Sequence, residues 1–381
     1  MTILLVDDNS VNLFVIEKIL NNAGYTDCVS LNSAMELFDY LHLDDANVSS
    51  GAVDLILLDI MMPEIDGLEA CKRIKEDDRF KDIPVIFVTA LEDKSKLAEA
   101  LDIGGADYIT KPINKTELLA RMRVALRLKS ELDWHKQHEK KIQYELDLAT
   151  HVQRSLLSPP LSKENLQIEV TYMPSSNLAG DMYYWHKISE HRYAVILLDM
   201  MGHGISASLV CMFISSVLRE AVKQLVEPEL VIKELNRYMA LLQDDGKQDM
   251  PYYFTAIYLV IDTESNTVEY VNAGHPAGYA LVDNKELVPL EKGCWAVGFF
   301  DEIKVTKQTL KYTTDLQIVL FTDGLLEAMG PCEIESEKQI AAASSYKWTN
   351  FQETVNQLIS KEKQLDQPDD ICILMLQAQG K

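Results

Sequence analysis

The sequence is short of positive charge: 36 Lys and Arg stand against 59 Asp and Glu, for a net charge of −23. A surface of that sign repels a phosphate backbone, which excludes nucleic-acid binding as the main output. Long apolar runs are also missing. The stretches at 53–58 and 194–198 fall far below the roughly 20 residues a bilayer span needs, and Ile3-Leu4-Leu5-Val6 follows no basic region. These features predict a cytoplasmic protein that crosses no membrane. The 6 cysteines (28, 71, 211, 294, 332 and 372) include no Cys-x-x-Cys pair, so a disulfide frame or zinc site is not expected. What is present is an ordinary globular mix, 47% hydrophobic and 25% charged over 381 residues. That length allows two or three domains, each with its own core.

In the N-terminal third, apolar runs at 3–6, 53–58, 83–88 and 107–110 are separated by stretches with helical spacing, such as Val11, Phe14, Val15 and Ile19. This alternation predicts a doubly wound parallel sheet with helices on both faces and a site at the carboxyl ends of the strands. Those ends carry Asp7-Asp8, Asp59, Thr89 and Lys111-Pro112. Crowded carboxylates call for a hard cation with oxygen ligands, and Mg²⁺ suits an open, partly hydrated site. Asp59 can then act as a nucleophile toward phosphorus, with the Lys ammonium and Thr hydroxyl stabilising the transferred group.

The stretch from 1 to 127 resembles the flavodoxin-like receiver domain of bacterial two-component response regulators. The resemblance rests on Leu5-Val6-Asp7-Asp8, Leu58-Asp59-Ile60-Met61-Met62-Pro63, Asp66-Gly67, Thr89-Ala90, Gly105-Ala106-Asp107-Tyr108 and Lys111-Pro112. It implies that Asp59 is the phosphoacceptor and that Asp7, Asp8, Asp59 and the Met61 carbonyl hold Mg²⁺. Thr89 and Tyr108 become the switch pair, Lys111 the phosphate partner, and a sensor histidine kinase the phosphodonor. The loop from His42 to Ala52 is longer than the family pattern.

Lys115 to Leu157 contains no Gly or Pro. Leu118, Met122, Ala125, Leu132, Ile142, Leu146, Ala149 and Leu156 recur near helical spacing, which predicts one long helix or two. Residues 128–157 are read as a helical linker. Its apolar seam, broken by polar residues 133–141, is compatible with a coiled-coil homodimer.

Beyond 165 the pattern turns to strands at 166–173, 191–199, 252–262, 266–273 and 316–321, with helices at 205–223 and 228–242. Residues 158–381 therefore read as an α+β domain, an antiparallel β-sandwich flanked by helices. Acidic residues again stand beside glycines at Gly180-Asp181, Asp199-Met200-Met201-Gly202-His203-Gly204 and Thr322-Asp323-Gly324, and at Pro368-Asp369-Asp370-Ile371. Dispersed Asp residues without a His/Cys cluster suggest Mg²⁺ or Mn²⁺. Two such ions can lower the pKa of a bridging water for attack on phosphorus. No cysteine has an Arg six positions later, so the Cys-x₅-Arg arrangement of thiolate phosphatases is absent.

These residues, with His151-Val152-Gln153-Arg154-Ser155-Leu156-Leu157 and Asn272-Ala273-Gly274-His275-Pro276, resemble the PPM (protein phosphatase 2C) family, in its SpoIIE-, RsbU- and RsbY-like bacterial branch. The resemblance implies a metal-dependent protein serine/threonine phosphatase with two Mn²⁺ or Mg²⁺. Asp199 would bridge the ions, Asp181 and the Met200 carbonyl would serve the first, and Asp323 and Asp369 the second. Asp370, Gly202 and His203 are further candidates. Cys372 stands where the branch has Thr, and Met201 is bulky before the glycine turn. The implied substrate is a phosphorylated STAS-domain anti-sigma factor antagonist in a stress-response partner switch, with Asp59 phosphorylation in control. A catalytically dead adaptor that binds its partner in a phosphorylation-dependent way is the alternative, and loss of the metal carboxylates would mark it.

Overall fold

The computed structural model describes residues 1–45, 52–90, 94–243, 252–348, 350–360 and 367–380. The chain divides into two compact units, Met1–Ile142 and Gln143–Lys381, and the division falls inside one helix.

The first unit alternates β1 (Thr2–Val6), α1 (Ser10–Asn21), β2 (Cys28–Leu31), α2 (Ala34–Leu41), β3 (Val53–Asp59), α3 (Gly67–Glu76), β4 (Val85–Thr89), α4 (Lys94–Asp102) and β5 (Asp107–Thr110). Its strands form one parallel sheet in the order β2-β1-β3-β4-β5. Successive side chains of a strand point to opposite faces, so both faces must be covered. Ile3, Leu5, Leu55, Leu57 and Val88 pack against Leu13 and Ile16 of α1. Leu4, Val6, Ile56, Leu58 and Phe87 pack against Leu37, Phe38, Cys71 and Ile74 of α2 and α3. The four apolar runs of the sequence thus miss one strand. In β2 only Leu31 is buried, because an edge strand needs no continuous apolar run. Of the 42–52 loop, residues 46–51 lie outside the described residues. Its near end is held by Arg79, whose guanidinium donates to the carbonyls of Asp45 at 3.0 Å, Leu43 at 3.1 Å and His42 at 3.4 Å.

A single helix of 41 residues, α5 (Lys115–Ser155), follows. The Asn114 side chain caps it, accepting from the backbone N–H of Thr116 at 2.9 Å and of Glu117 at 3.2 Å. Leu118, Met122 and Ala125, at helical spacing within 1–127, are buried in the core of the first unit, because the sheet face beside α1 needs a second helix to cover it. Leu132 and Ile142 are the seam positions left exposed, at 47% and 43%.

The second unit contains β6 (Leu161–Ser162), β7 (Leu166–Met173), β8 (Met182–Lys187), β9 (Arg192–Met200), α6 (Ile205–Gln224), α7 (Pro228–Gln243), β10 (Phe254–Asp262), β11 (Thr267–Ala273), β12 (Gly278–Val282), β13 (Glu286–Leu290), β14 (Gly293–Cys294), β15 (Gln308–Lys311), β16 (Asp315–Phe321), α8 (Asp323–Met329), α9 (Glu333–Ser344), α10 (Phe351–Leu358) and β17 (Ile371–Gln379). One sheet runs β14-β11-β10-β9-β8, with β15 also on β11, and the other runs β13-β12-β16-β17-β7-β6. All pairs are antiparallel except β11 with β14. Inward residues of both sheets, among them Val195, Leu197, Ile257, Leu259, Ile318, Leu320, Leu374 and Leu376, form the sandwich core. The outer face of the first sheet is covered by α6 and α7, and that of the second by α8, α9 and α10. At 20 residues, α6 is long and apolar enough to cross a bilayer, which the run lengths at 53–58 and 194–198 did not anticipate. Its Ala207, Cys211, Ile214, Leu218 and Val222 are buried in the domain core, and that burial is what its composition serves.

Candidate active site

Parallel pairing brings the carboxyl ends of β1 and β3 side by side, and with them Asp7 and Asp59. Both are buried, at 1% and 4% exposure, while Asp8 is exposed. One oxygen each from Asp7, Asp8 and Asp59 lies within 4.8 Å of the others. Lys111, just past β5, donates its ammonium to Asp7 Oδ2 at 2.8 Å and to Asp59 Oδ2 at 2.9 Å. Asp7 also accepts from the Asn9 N–H and the Asn12 amide. Burial pushes the Asp59 carboxyl above its ordinary range, Lys111 pulls it back, and Asp7 adds to the rise. Burial would lower the Lys111 ammonium, but its bonds to Asp7 and Asp59 outweigh burial and raise it.

Glycine at 67 has a steric cause here. A Cβ there would lie 2.1 Å from the Asp59 carbonyl, so only glycine lets α3 start against the strand that carries Asp59. Thr89 is fully buried at the end of β4. Tyr108 is half-buried on β5, with the Arg121 guanidinium 5.8 Å from its ring centre. Met61 is exposed, and its N–H points at Asp59 Oδ1 at 3.4 Å.

In the second unit, the acids come from four strand ends that antiparallel register places at one rim of the sandwich. Asp181 precedes β8, whose Met182 pairs with Leu198 beside Asp199 on β9. Asp323 starts α8 after β16, whose Phe321 pairs with Ile373 of β17. Asp369 and Asp370 lead into β17. Asp181 is 2% exposed, Asp199 and Asp369 are half-buried, and Asp323 is exposed. Burial, then the charge of Asp199, pushes the Asp181 carboxyl well up. Burial, then Asp323 and Asp369, pushes Asp199 up to about 8. Asp323 is raised by burial and then by Asp369. Asp199 and Asp323 lie close enough for each carboxyl to act on the other. Among the described residues no ion pair joins any of these four to Lys, Arg or His, and no three of them meet the 4.8 Å spacing of the first-unit triad. A wide, uncompensated set of oxygen donors, buried at Asp181 and opening to solvent at Asp323, fits hard divalent cations.

The other candidates separate. Asp370 is 3% exposed and braces the backbone: Oδ1 accepts from Ser175 N–H at 2.7 Å and from its hydroxyl at 2.9 Å, and Oδ2 accepts from Gly180 N–H at 2.7 Å. Gly202 and Gly204, at φ +79° and +81°, form the turn around exposed His203. A Cβ on Gly324 would lie 2.1 Å from the Asp370 carbonyl, so this glycine lets the Asp323 and Asp369 backbones approach. Cys372 is buried in the sandwich core and its backbone is bonded to Thr322 in both directions, its N–H donating to Thr322 Oγ1 at 2.9 Å and its carbonyl accepting from the Thr322 N–H at 3.1 Å.

Two contributors were not foreseen. Thr322, fully buried, donates its hydroxyl to Asp181 Oδ2 at 2.7 Å. Gln153, near the end of α5, bonds the backbone of Ala179 in both directions. Both lie inside motifs already singled out, Thr322 in Thr322-Asp323-Gly324 and Gln153 in the stretch from His151 to Leu157, but neither had been given a role of its own.

Comparison with known proteins follows the same division. The family model of Stage II sporulation protein E (SpoIIE) matches residues 189–379, half of the chain, and that of the response regulator receiver domain matches residues 3–123. Phosphoserine phosphatase RsbP of Bacillus subtilis is 37% identical over 189 residues, which cover 49% of this chain and 46% of RsbP. The chain thus spans about half the length of that curated relative. Chemotaxis protein CheY1 of Helicobacter pylori is 33% identical over 126 residues, 33% of this chain and 97% of CheY1. The SiaA-PP2C domain of Pseudomonas aeruginosa shares the fold of the second unit, with a TM-score of 0.51 at 20% identity, covering 64% of this chain and 99% of that one.

Proposed function

The chain belongs to the SpoIIE family and carries a response regulator receiver domain, and from that premise we propose an aspartate-phosphorylated switch that controls a metal-dependent protein serine/threonine phosphatase. The observation that carries this reading is the rim of Asp181, Asp199, Asp323 and Asp369, four acids with no basic partner among the described residues. In this reading residues 1–127 receive the phosphoryl group, 128–157 link, and 158–381 hydrolyse.

Asp199 would bridge two Mn²⁺ or Mg²⁺, with Asp181 and the Met200 carbonyl on one side and Asp323 and Asp369 on the other. When bound, these ions supply Lewis-acid polarisation and a low-pKa water. The chain's own contribution is placement. Thr322 fixes the Asp181 carboxylate, and Asp370 fixes the Ser175–Gly180 backbone. In the receiver, Asp7, Asp8, Asp59 and the Met61 carbonyl would hold Mg²⁺, and Lys111 is already within bonding distance of Asp59 Oδ2. Thr89 and Tyr108 would report the phosphorylated state.

The substrate in this reading is a serine-phosphorylated STAS-domain anti-sigma factor antagonist, the phosphodonor a sensor histidine kinase, and the compartment the cytoplasm. Exposed Leu128, Leu132, Ile142 and Leu148 of α5 would join two copies as a homodimer, which light scattering on wild type and on a quadruple Ser variant reads. The test of function is phosphate release from a phosphorylated STAS protein with Mn²⁺, for wild type and Asp59→Ala, with and without phosphoramidate. Stimulation confined to wild type is expected. Equal stimulation of both removes the control by Asp59, and no release by either removes the phosphatase.

A further inference from the structure

The last turns of α5 are bonded to the segment that delivers Asp181. The Thr150 hydroxyl lies 2.8 Å from the Asn177 carbonyl. Gln153 closes a two-way pair with Ala179: its Nε2 donates to the Ala179 carbonyl at 2.6 Å, and its Oε1 accepts from the Ala179 N–H at 3.1 Å. Gln153 is 4% exposed, and a buried amide engaged at both ends has one orientation, since turning it over would set donor against donor and acceptor against acceptor.

From Ala179 the coupling runs straight into the site. Gly180 donates to Asp370, and a Cβ on it would sit 2.9 Å from the Gly202 carbonyl and 3.2 Å from the Met200 carbonyl. Asp181 comes next, bonded to Thr322. A shift of Ala179 therefore reaches both the Asp181 carboxylate and the Met200 carbonyl, because close-packed backbone transmits displacement instead of absorbing it.

The start of the same helix is fixed just as firmly. Arg121 pairs with Asp107 at 2.6 Å and lies against the Tyr108 ring, while Leu118, Met122 and Ala125 are buried in the core of the first unit. One uninterrupted helix thus contacts Tyr108 near its start and the Asp181 segment near its end.

We propose that Gln153 is a positioning residue: through its pair with Ala179, α5 sets how tightly Asp181 and the Met200 carbonyl hold a divalent cation. This deepens the reading above and rests on it for the metal site and for the signal from Asp59. The coupling is mechanical, and no group is transferred.

The experiment uses the full chain and reads Mn²⁺ affinity by calorimetry, with and without phosphoramidate. Asp59 phosphorylation is followed on a phosphate-affinity gel and p-nitrophenyl phosphate turnover is measured alongside. Gln153→Leu keeps the volume and loses both bonds. It is expected to weaken Mn²⁺ binding about tenfold, as outer-shell losses do, and to leave Asp59 phosphorylation at the wild-type level. Gln153→Glu keeps the acceptor for the Ala179 N–H and loses the donor, so its affinity should fall between the two. Wild-type Mn²⁺ affinity in Gln153→Leu overturns the proposal, and if that variant does not fold, wild-type affinity in Gln153→Glu does so. The broader reading fails separately: a wild-type chain that releases no p-nitrophenol in Mn²⁺ is not a phosphatase. A wild-type affinity indifferent to phosphoramidate removes the signal from Asp59 and leaves the Gln153 effect on binding as the support for positioning.

Discussion

At the carboxyl end of the parallel sheet, Lys111 stands between Asp7 and Asp59, whereas the four carboxylates at the rim of the sandwich have no such cation among the described residues, and burial together with neighbouring acids raises Asp181, Asp199 and Asp323. The first cluster carries a permanent positive charge in its covalent structure, so it is formed before any ion arrives. In the reading proposed above, the second would complete its charge balance with divalent ions. Its occupancy would then be adjustable by the supply of cation.

The largest expected effect separates the two clusters outright. Asp323→Asn should lower phosphatase turnover by about 10³-fold, the several kcal/mol of charge stabilisation a catalytic metal supplies, and leave phosphorylation of Asp59 intact. Turnover that survives would show that the rim acids do not act as one site. Next, Lys111→Met should destabilise the first unit by about 3 kcal/mol in chelator, because it strands two buried carboxylates. Mg²⁺ should restore part of that loss in a thermal unfolding experiment, and identical melting of variant and wild type would refute the role given to the ammonium.

Thr322→Val leaves Asp181 without its hydroxyl partner and should cut turnover about tenfold, with Thr322→Ser recovering it and the receiver unaffected. The remaining effect is a pH slope. In chelator, Asp199 in the folded chain keeps its proton up to about 8, whereas the unfolded chain loses it near the ordinary carboxylate value. Between those values the folded state binds more protons, so stability falls as pH rises, by at most about 1.4 kcal/mol per pH unit from this group. Urea midpoints at pH 5 and 7.5 read this slope, and Asp199→Asn should flatten it.

Much of this contrast was legible in the sequence, for a geometric reason. A parallel sheet delivers all its strand ends to one side, so reading Asp7-Asp8, Asp59, Thr89 and Lys111 at those ends already placed them together. The sandwich was harder. β8, Met182–Lys187, mixes aromatic and basic residues, and β17 with its apolar Ile371–Leu376 run was not separated from the acidic motif before it. Thr322 bonds a residue 141 positions away and Gln153 one 26 positions away, distances at which local pattern carries no information. The apolar stripe of α5 left its partner open, because such a stripe is the same in sequence whether it meets a second copy or, as at Leu118 and Met122, its own sheet.

β17 lies in the interior of its sheet, between β16 and β7, with Asp369 and Asp370 at its entrance. During synthesis the receiver's buried residues have all been translated by Ala125, roughly 250 residues before β17. At about 5–20 residues per second that interval lasts about 12–50 s. Over that time the nascent polypeptide can fold its parallel-sheet unit while the sandwich still lacks a central strand, so the order of translation lets the receiver domain form before the acidic rim is complete.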